Sequence, residues 1–260
     1  MSTLAPECTP IRQWWVLTAR GVGSALRGGS VVTALIAPVV FTLGFYVPLH
    51  TVITMISGGT VDYGRFLMPL LALQAVSFTA ITAAFVAATD TVRGVDRRFA
   101  AMPIPAGVPV AARVSASTVR CVLALGVAVI CGHLIGFRFD AGPVAALAFC
   151  AAALAIGVVL TFAADVLGAL SRSPEATTRA LAVPQLVLGM LSCGFLPLEQ
   201  FPHWSQPIVR NQPVSQFSLA LRGLADGTFD PRLLLPSLLW LGALFGLVGW
   251  MSVRVSGRRA

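Results

Sequence analysis

The sequence predicts an all-α integral membrane protein with six transmembrane helices. Hydrophobic residues make up 57% of the 260 residues and charged residues only 11%, whereas soluble domains carry roughly 25% charged residues. The mean hydropathy is +0.85. Six apolar stretches are each long enough to cross a hydrocarbon core about 30 Å thick as a helix. They cover about 31–56, 66–89, 114–137, 141–165, 180–198 and 233–253.

These spans leave little chain for anything else, so we expect a single transmembrane domain over residues 1–260 and no separate catalytic domain. The net charge of +8 sits at the ends of the spans. It therefore favours orientation in a membrane and contact with anionic headgroups over nucleic-acid binding. The five cysteines form no C-x-x-C pair. They are typical of small buried hydrophobes rather than of disulfides or a metal site.

Residues 1–30 precede the first span and are expected to be cytoplasmic or interfacial. Between residues 10 and 27, Trp14 and Trp15 occur together with Arg12, Arg20 and Arg27. This mixture of aromatic and basic residues is typical of an amphipathic helix that lies on the inner leaflet. A frayed tail is the alternative.

The arginines indicate the orientation of the spans. With a cytoplasmic N-terminus, the inner segments carry 12 Arg and the outer segments five, and Arg120 lies at the inner edge of the third span. A bias of this kind in short loops predicts that both termini are cytoplasmic. The five outer residues are Arg65, Arg138, Arg210, Arg222 and Arg232.

The inner connection between the second and third spans is the most charged part of the chain. Asp90, Arg93, Asp96 and Arg97 recur at helical spacing, which predicts that the second helix extends beyond the bilayer. Three prolines follow, at positions 103, 105 and 109, and they are expected to break the chain around an apolar turn at 104–112. A docking site for a soluble partner fits this pattern, and an ordinary polar turn is the alternative.

The outer segment between the fifth and sixth spans combines prolines with apolar side chains. Its prolines exclude one continuous helix, and its aromatic residues are unusual for a solvated loop. We therefore predict a re-entrant helical hairpin over 199–226 that folds back toward the membrane, with Asn211 as the cap of its second helix. An ordinary interfacial loop is the alternative. The candidate hairpin and gate residues are Phe201, Pro202, Trp204, Pro207, Asn211, Pro213 and Phe217.

Few polar side chains occur inside the spans. Gln74 and Gln185 are expected to hydrogen-bond across helices, and His133 to be a hydrogen-bonded or interfacial residue. Asp165, at the inner edge of the fourth span, is expected to form a structural ion pair with Arg172 or Arg179 nearby. We find no H-E-x-x-H or G-x-S-x-G stretch and no paired carboxylates within a span, so no catalytic residues are predicted.

Five stretches together resemble one family, the permease subunits of ABC-2 type transporters, and in particular the B subunit of daunorubicin-resistance-type exporters, including the mycobacterial exporter of cell-wall lipids. The resemblance extends over most of the chain, and Asn211–Pro213 resembles the Asn-Pro element of such permeases with a Gln inserted. The stretches are PLLALQAVSFTAI (69–81), AATDTVRGVDRRFAAMPI (87–104), CGHLIGFRF (131–139), FAADVLG (162–168) and FLPLEQFPHWSQPIVRNQPVSQF (195–217).

The resemblance implies a transport subunit without ATPase activity of its own. The chain has no Lys and therefore no G-x-x-x-x-G-K-[ST] loop, so ATP and Mg²⁺ are expected on a partner, an ABC ATP-binding subunit present in two copies. A second permease, homologous or identical, is the other expected partner. The residues expected to couple the chain to the ATPase are Arg93, Arg97, Arg98, Met102, Pro103, Ile104, Pro105 and Val108.

The function implied by the resemblance is outward movement of an amphipathic cargo, a complex lipid or a hydrophobic drug such as an anthracycline, across a bacterial plasma membrane. Two other functions stay open at the level of the sequence. One is a membrane anchor or assembly subunit without its own transport pathway. The other is an intramembrane lipid-modifying enzyme, since His50, His133 and His203 all fall on the predicted outer side.

Overall fold

The structure, a computed structural model, describes residues 9–57, 63–102, 104–105 and 107–257, and these residues form α-helices joined by short connections. One 3₁₀ turn, Leu198–Gln200, precedes α8. The helices are α1 (Pro10–Arg27), α2 (Ser30–Ser57), α3 (Tyr63–Val92), α4 (Val95–Ala100), α5 (Gly107–Leu134), α6 (Pro143–Leu170), α7 (Pro174–Met190), α8 (Gln206–Asn211), α9 (Pro213–Ala225) and α10 (Pro231–Gly257).

Five of the described helices are long and apolar enough to cross a membrane, namely α2, α3, α5, α6 and α10. They correspond to five of the six predicted spans. Helix α5 runs further toward the inner side than its predicted span, because it already begins at Gly107. Helix α3 passes the end of its predicted span at residue 89 but stops at Val92, before Arg93 and Arg97, which we expected it to include. Pro109, which we expected to break the chain, lies in the first turn of α5, where a missing N–H costs little.

The predicted span at 180–198 differs from the structure. The helix in this region, α7, contains 17 residues and ends at Met190, so at about 1.5 Å per residue it is roughly 26 Å long. It begins earlier than predicted because the Ser173 hydroxyl accepts a hydrogen bond from the backbone N–H of Ala176, and Pro174 starts the first turn. After Met190 the chain forms turns as far as Pro197.

Helix α3 lies at the centre of the molecule and packs against α2, α5, α6, α7 and α9. Its closest neighbour is α6, where a Cβ on Gly168 would lie closer to the carbonyl oxygen of Ala84 than the 3.0 Å that real Cβ atoms keep. Small residues allow membrane helices to approach closely in this way. By contrast, α2 and α10 expose much of their apolar surface.

The connections gather at two ends of the molecule. The end that carries α4 and the α6–α7 connection is called the inner end here, and the end that carries α8 and α9 is called the outer end, after the sides predicted from the arginines. Thr91 at the end of α3 donates a hydrogen bond to the carbonyl of Ala169 at the inner end. Arg65 contacts Asp140 and Asp226 at the outer end. The segments predicted to share a side therefore do meet.

Candidate functional site

The predicted docking turn lies between α3 and α5, and it is built differently from the expectation. The helix of the second span does not continue through the charged segment. It ends at Val92, and Gly94 adopts a positive φ of 69°, a conformation that ends helices and that glycine adopts without strain. The next residues form the separate short helix α4, Val95–Ala100.

The turn residues project from this inner end to different degrees. Arg93, Arg98 and Pro105 are exposed, and the side chain of Met102 is 48% exposed. Ile104 and Val108 are half-buried. The structure describes only the backbone of Arg97, within α4, and Pro103 lies outside the described residues.

The first helix contributes to the same surface, which sequence reasoning missed. Pro105, Gly107, Val108 and Ala111 line one side of an apolar groove of about 310 Å³. The other side belongs to α1 and consists of Pro10, Ile11 and Trp14.

Helix α1 is held in place by a hydrogen bond from the Trp14 indole N–H to the Ser115 hydroxyl on α5, at 3.1 Å. The predicted helix at 10–27 is confirmed. Part of its apolar side packs on α5, whereas we had assigned that side to the leaflet. The i, i+3 spacing of Ile11 and Trp14 was the available signal.

Behind the groove, a charged pair joins α5 to α6. The Arg113 guanidinium donates to both Asp165 oxygens, at 2.9 and 3.2 Å, and the side chains of the two residues are 17% and 4% exposed. The ion pair that we expected at Asp165 is therefore present, but our choice of Arg172 or Arg179 as its partner was wrong. Both of those arginines follow α6 in the chain, whereas Asp165 faces α5.

A second arginine of α5 lies seven residues, about two helical turns, after Arg113. Arg120 is buried and donates to the Ser117 hydroxyl at 2.7 Å. Its Nε finds no hydrogen-bond partner among the described residues. Buried charge of this kind is costly unless it is paired, and Asp165 is the carboxylate whose charge acts on it favourably.

The amide side chains inside the spans behave as predicted. Gln185 on α7 donates a hydrogen bond to Gln74 on α3, which ties the short helix to the central one. His133 shares a hydrogen bond with the carbonyl of Val129 in its own helix, 2.8 Å from Nδ1. Both observations confirm the expected structural contacts.

The outer segment contains the two predicted short helices, α8 and α9. The cap differs from the prediction, because Asn211 is the last residue of α8 and Gln212 is the N-cap residue of α9. Pro213 therefore occupies the first helical position rather than the second. Pro207 likewise lies in the first turn of α8.

Gln212, the residue inserted into the Asn-Pro element, has a second role. Its side-chain N–H groups donate to the carbonyls of Leu188 and Leu191 at the end of α7, the first at 3.2 Å. The last carbonyls of a helix have no partner within the helix. Gln212 therefore supplies donors to the end of α7 while its backbone begins α9.

The hairpin is fixed to its surroundings by further polar contacts. The Arg222 guanidinium donates to the backbone carbonyl of Phe66 at 3.0 Å and lies 4.0 Å from the centre of the Phe66 ring. Burial lowers the pKa of Arg222 from its ordinary value, although Asp226 acts in the opposite direction. The Ser237 hydroxyl of α10 donates to the carbonyl of Gln216 at 2.8 Å.

The apolar side chains of the hairpin are not all buried. Phe217 is buried in a core cluster with residues of α3, α5 and α6. Phe201 is half-buried and Pro202 is exposed. Trp204 is 78% exposed and Ile208 is also exposed, so the protein itself does not bury them, and the predicted folding of the hairpin toward the membrane stays a prediction. They present apolar surface at the outer end instead.

Comparison with known proteins identifies the family. The profile described as ABC-2 type transporter matches residues 12–224. The chain belongs to this family. The chain is also 42% identical over 259 residues to the doxorubicin resistance ABC transporter permease protein DrrB of Mycobacterium tuberculosis. The aligned region covers 95% of this chain and 90% of that protein.

Two further relatives are more distant. The probable doxorubicin resistance ABC transporter permease protein DrrC of Mycobacterium tuberculosis is 27% identical over 203 residues, 76% of this chain and 71% of that protein. The daunorubicin resistance ABC transporter permease protein DrrB1 of Streptomyces coeruleorubidus has the same identity over 203 residues, 76% of this chain and 69% of that protein. The chain is thus a multi-pass permease subunit of an ABC-2 type exporter, a class whose ATPase is a partner subunit.

Proposed function

We propose that this permease moves an amphipathic cargo outward and that the inner turn with α1 docks the ATP-binding subunit. The observation that carries the proposal is the apolar groove formed by Trp14, Pro105 and Val108, together with the exposed Arg93 and Arg98 earlier in the same inner connection. An interface needs an apolar centre and a polar rim. The turn and α1 supply the first, and the arginines supply cations for acidic residues of the ATPase.

The cargo class rests on the relatives and on the apolar spans. The matched permeases are named for resistance to doxorubicin and daunorubicin, and a flat cationic drug and a complex lipid are both amphipathic. An apolar pathway formed by such spans suits molecules of this kind. We propose that the hairpin residues Phe201, Pro202, Trp204, Pro207, Asn211, Pro213 and Phe217 close the outer end of this pathway.

We further propose six spans, with α7 as the fifth and both termini cytoplasmic. At roughly 26 Å, α7 is about one turn short of the hydrocarbon core, and residues 191–197 together with the inserted hairpin complete the crossing. Two cysteine positions in a cysteine-free chain test this arrangement. Glu199→Cys should react with an impermeant reagent from outside, and Arg172→Cys only after permeabilisation. The reverse pattern would contradict the orientation.

A second permease completes the pathway in this proposal. The exposed apolar surface of α2, α7 and α10 is compatible with a neighbouring subunit as well as with lipid. The partner is either a second copy or a C-type chain. DrrB and DrrC permeases are both named in Mycobacterium tuberculosis.

Transport in inside-out vesicles tests the function. Vesicles that contain the permease and its ATP-binding subunit should accumulate doxorubicin when ATP is added. They should not accumulate it when the Walker A lysine of the ATP-binding subunit has been replaced. An equivalent assay with a labelled membrane lipid separates the two cargo classes. Complex assembly without movement of either molecule would instead favour the role of an anchor subunit.

Docking is tested with a matched pair of variants. Ile104→Asp combined with Val108→Asp places carboxylates in the proposed interface, where unpaired burial is costly, and should abolish recovery of the ATPase with the permease. Ala176→Asp adds a carboxylate at the same end, in the first turn of α7, where it is exposed and favoured by the helix dipole. This control should retain the ATPase. Equal recovery with both variants would remove the docking proposal.

A further inference from the structure

A cavity at the outer end has a chemistry that the transport proposal does not use. It has a volume of about 480 Å³ and lies between the hairpin and the start of α10. Arg210 from α8 and Arg232 from α10 both line it, and so does His203. Among the described residues that line it there is no Asp or Glu.

The two guanidinium groups are available to a ligand. Within the part of the chain that the structure describes, neither Arg210 nor Arg232 donates a side-chain hydrogen bond or joins an ion pair, and both are exposed. The nearby carboxylate of Asp230 accepts a hydrogen bond from the backbone N–H of Arg232 at 2.9 Å, as in an N-cap.

Two backbone acceptors beside the cavity are already occupied. The carbonyl of Arg210 accepts a hydrogen bond from the Gln216 side chain at 2.8 Å. The carbonyl of Asn211 accepts one from the Trp240 indole N–H at 3.2 Å. The two guanidinium groups give the cavity positive charge and several N–H donors, which are complementary to an anion such as phosphate.

The surroundings of the cavity are those of a membrane interface. Arg232 is the second residue of α10, which is apolar enough to span the bilayer. Leu235, Leu238 and Leu239 are exposed on the following turns, where acyl chains can lie. Trp204, which follows the cavity residue His203 in the chain, is exposed, and tryptophan is enriched at the headgroup level of membranes.

We propose that this cavity binds the phosphate of an anionic glycerophospholipid from the adjacent leaflet. Arg210 and Arg232 donate hydrogen bonds to the phosphate, and the acyl chains run along the exposed leucines of α10. Because the two arginines belong to different elements, the bound lipid joins the hairpin to the last span. The inference requires only that α10 crosses the bilayer, and it is independent of the cargo and of ATPase docking.

Native mass spectrometry of the full chain in a neutral detergent tests the proposal with phosphatidylglycerol and phosphatidylcholine as probes. The wild-type chain should retain phosphatidylglycerol in preference, and the same lipid should raise its melting temperature. Replacing both arginines, Arg210→Gln with Arg232→Gln, should weaken phosphatidylglycerol binding by about tenfold or more, because two charge-assisted contacts are lost. Equal retention of the two lipids by the wild type would overturn the proposal.

Arg138→Gln is the matched control, since Arg138 is an exposed arginine of the same end that bonds to backbone carbonyls outside the cavity. It should bind phosphatidylglycerol as the wild type does. If this variant lost as much phosphatidylglycerol binding as the double variant, the effect would come from net charge alone and the site would be wrong. A separate arm uses inorganic phosphate. If phosphate alone reproduces the stabilisation and the lipid adds nothing, the site takes a free anion and the lipid assignment is wrong.

A measurement on the wild-type chain does not depend on the folding of any variant. Phosphatidylglycerol with a photoactivatable headgroup should label peptides that contain residues 206–211 and 231–236. Labelling confined to other parts of the chain would contradict the site.

Discussion

Both ends of the molecule contain ion pairs between arginine and aspartate, but the pair at the inner end is buried and those at the outer end are exposed. At the inner end, Arg113 holds Asp165 with an Nε–Oδ1 distance of 2.9 Å, and the side chains are 17% and 4% exposed. At the outer end, Arg65 lies 2.8 Å from both Asp140 and Asp226, and the three side chains are 43%, 62% and 38% exposed. Distance therefore does not distinguish the pairs, whereas exposure does. Breaking a buried pair leaves an unpaired charge in an apolar region, and water replaces an exposed partner at little cost.

The largest expected effect is at Asp165. Asp165→Ala removes the buried carboxylate that the Arg113 guanidinium contacts, and it should lower the free energy of unfolding by about 3–5 kcal/mol. The measurement is denaturation of the purified chain in detergent, followed by circular dichroism. Arg113→Met combined with Asp165→Leu removes both charges and should be markedly more stable than Asp165→Ala. If the single and double variants unfold alike, the pair is not the source of the effect.

A smaller effect is expected where α3 and α6 approach closely near the same pair. Gly168→Ala introduces a methyl group against the backbone of Ala84, where no flexible side chain can move aside, so the helices must separate at a cost of about 1–3 kcal/mol. Gly126→Ala is the control, because nothing lies within 4 Å of a Cβ at that position of α5. Thermal unfolding should show a loss for the first variant and none for the second. Equal melting temperatures for the Gly168→Ala and Gly126→Ala variants would mean that the close contact between α3 and α6 is absent.

A smaller effect again is expected at the amide pair between α3 and α7. Gln185→Leu removes the hydrogen bond to Gln74, and hydrogen bonds between membrane helices contribute about 0.6 to 2 kcal/mol. A double-mutant cycle with Gln74→Leu should give a coupling energy within that range. A coupling of zero would show that α7 is held by packing alone.

The smallest expected effect is at the outer ion pairs, although they have the shorter distances. Arg65→Gln should lower the free energy of unfolding by about 0–1 kcal/mol, and added salt should reduce even that difference. Urea denaturation at low and high ionic strength is the measurement. A loss comparable with that of Asp165→Ala would contradict the comparison of the two ends.

Parts of this arrangement could be predicted from the sequence, because some residues allow few alternatives. Two glutamines in apolar spans need partners, and Gln74 and Gln185 provide them for each other. The partner of Asp165 could not be predicted in the same way. Arg113, Arg172 and Arg179 all lie at the inner ends of spans, and only the packing of α5 against α6 selects Arg113.

The outer hairpin contains features that could be predicted from the sequence and others that could not. Its two helices followed from prolines that interrupt an apolar segment. The cap was placed one residue too early because Asn is a stronger N-cap than Gln, yet the preference of Pro for the first helical position points to Gln212. The exposure of Trp204 could not be predicted, because an apolar side chain in a membrane protein satisfies its preference equally in lipid and in protein.

The proposed contact between the inner turn and the ATP-binding subunit is tested most directly by photo-cross-linking. A photoreactive amino acid at Met102, which is 48% exposed at the inner end, is compared with the same group at Trp204, which is 78% exposed at the outer end. In membranes that contain the whole complex, we expect a cross-link to the ATP-binding subunit from position 102 and none from position 204. A cross-link from position 204 without one from position 102 would contradict both the docking site and the orientation of the chain.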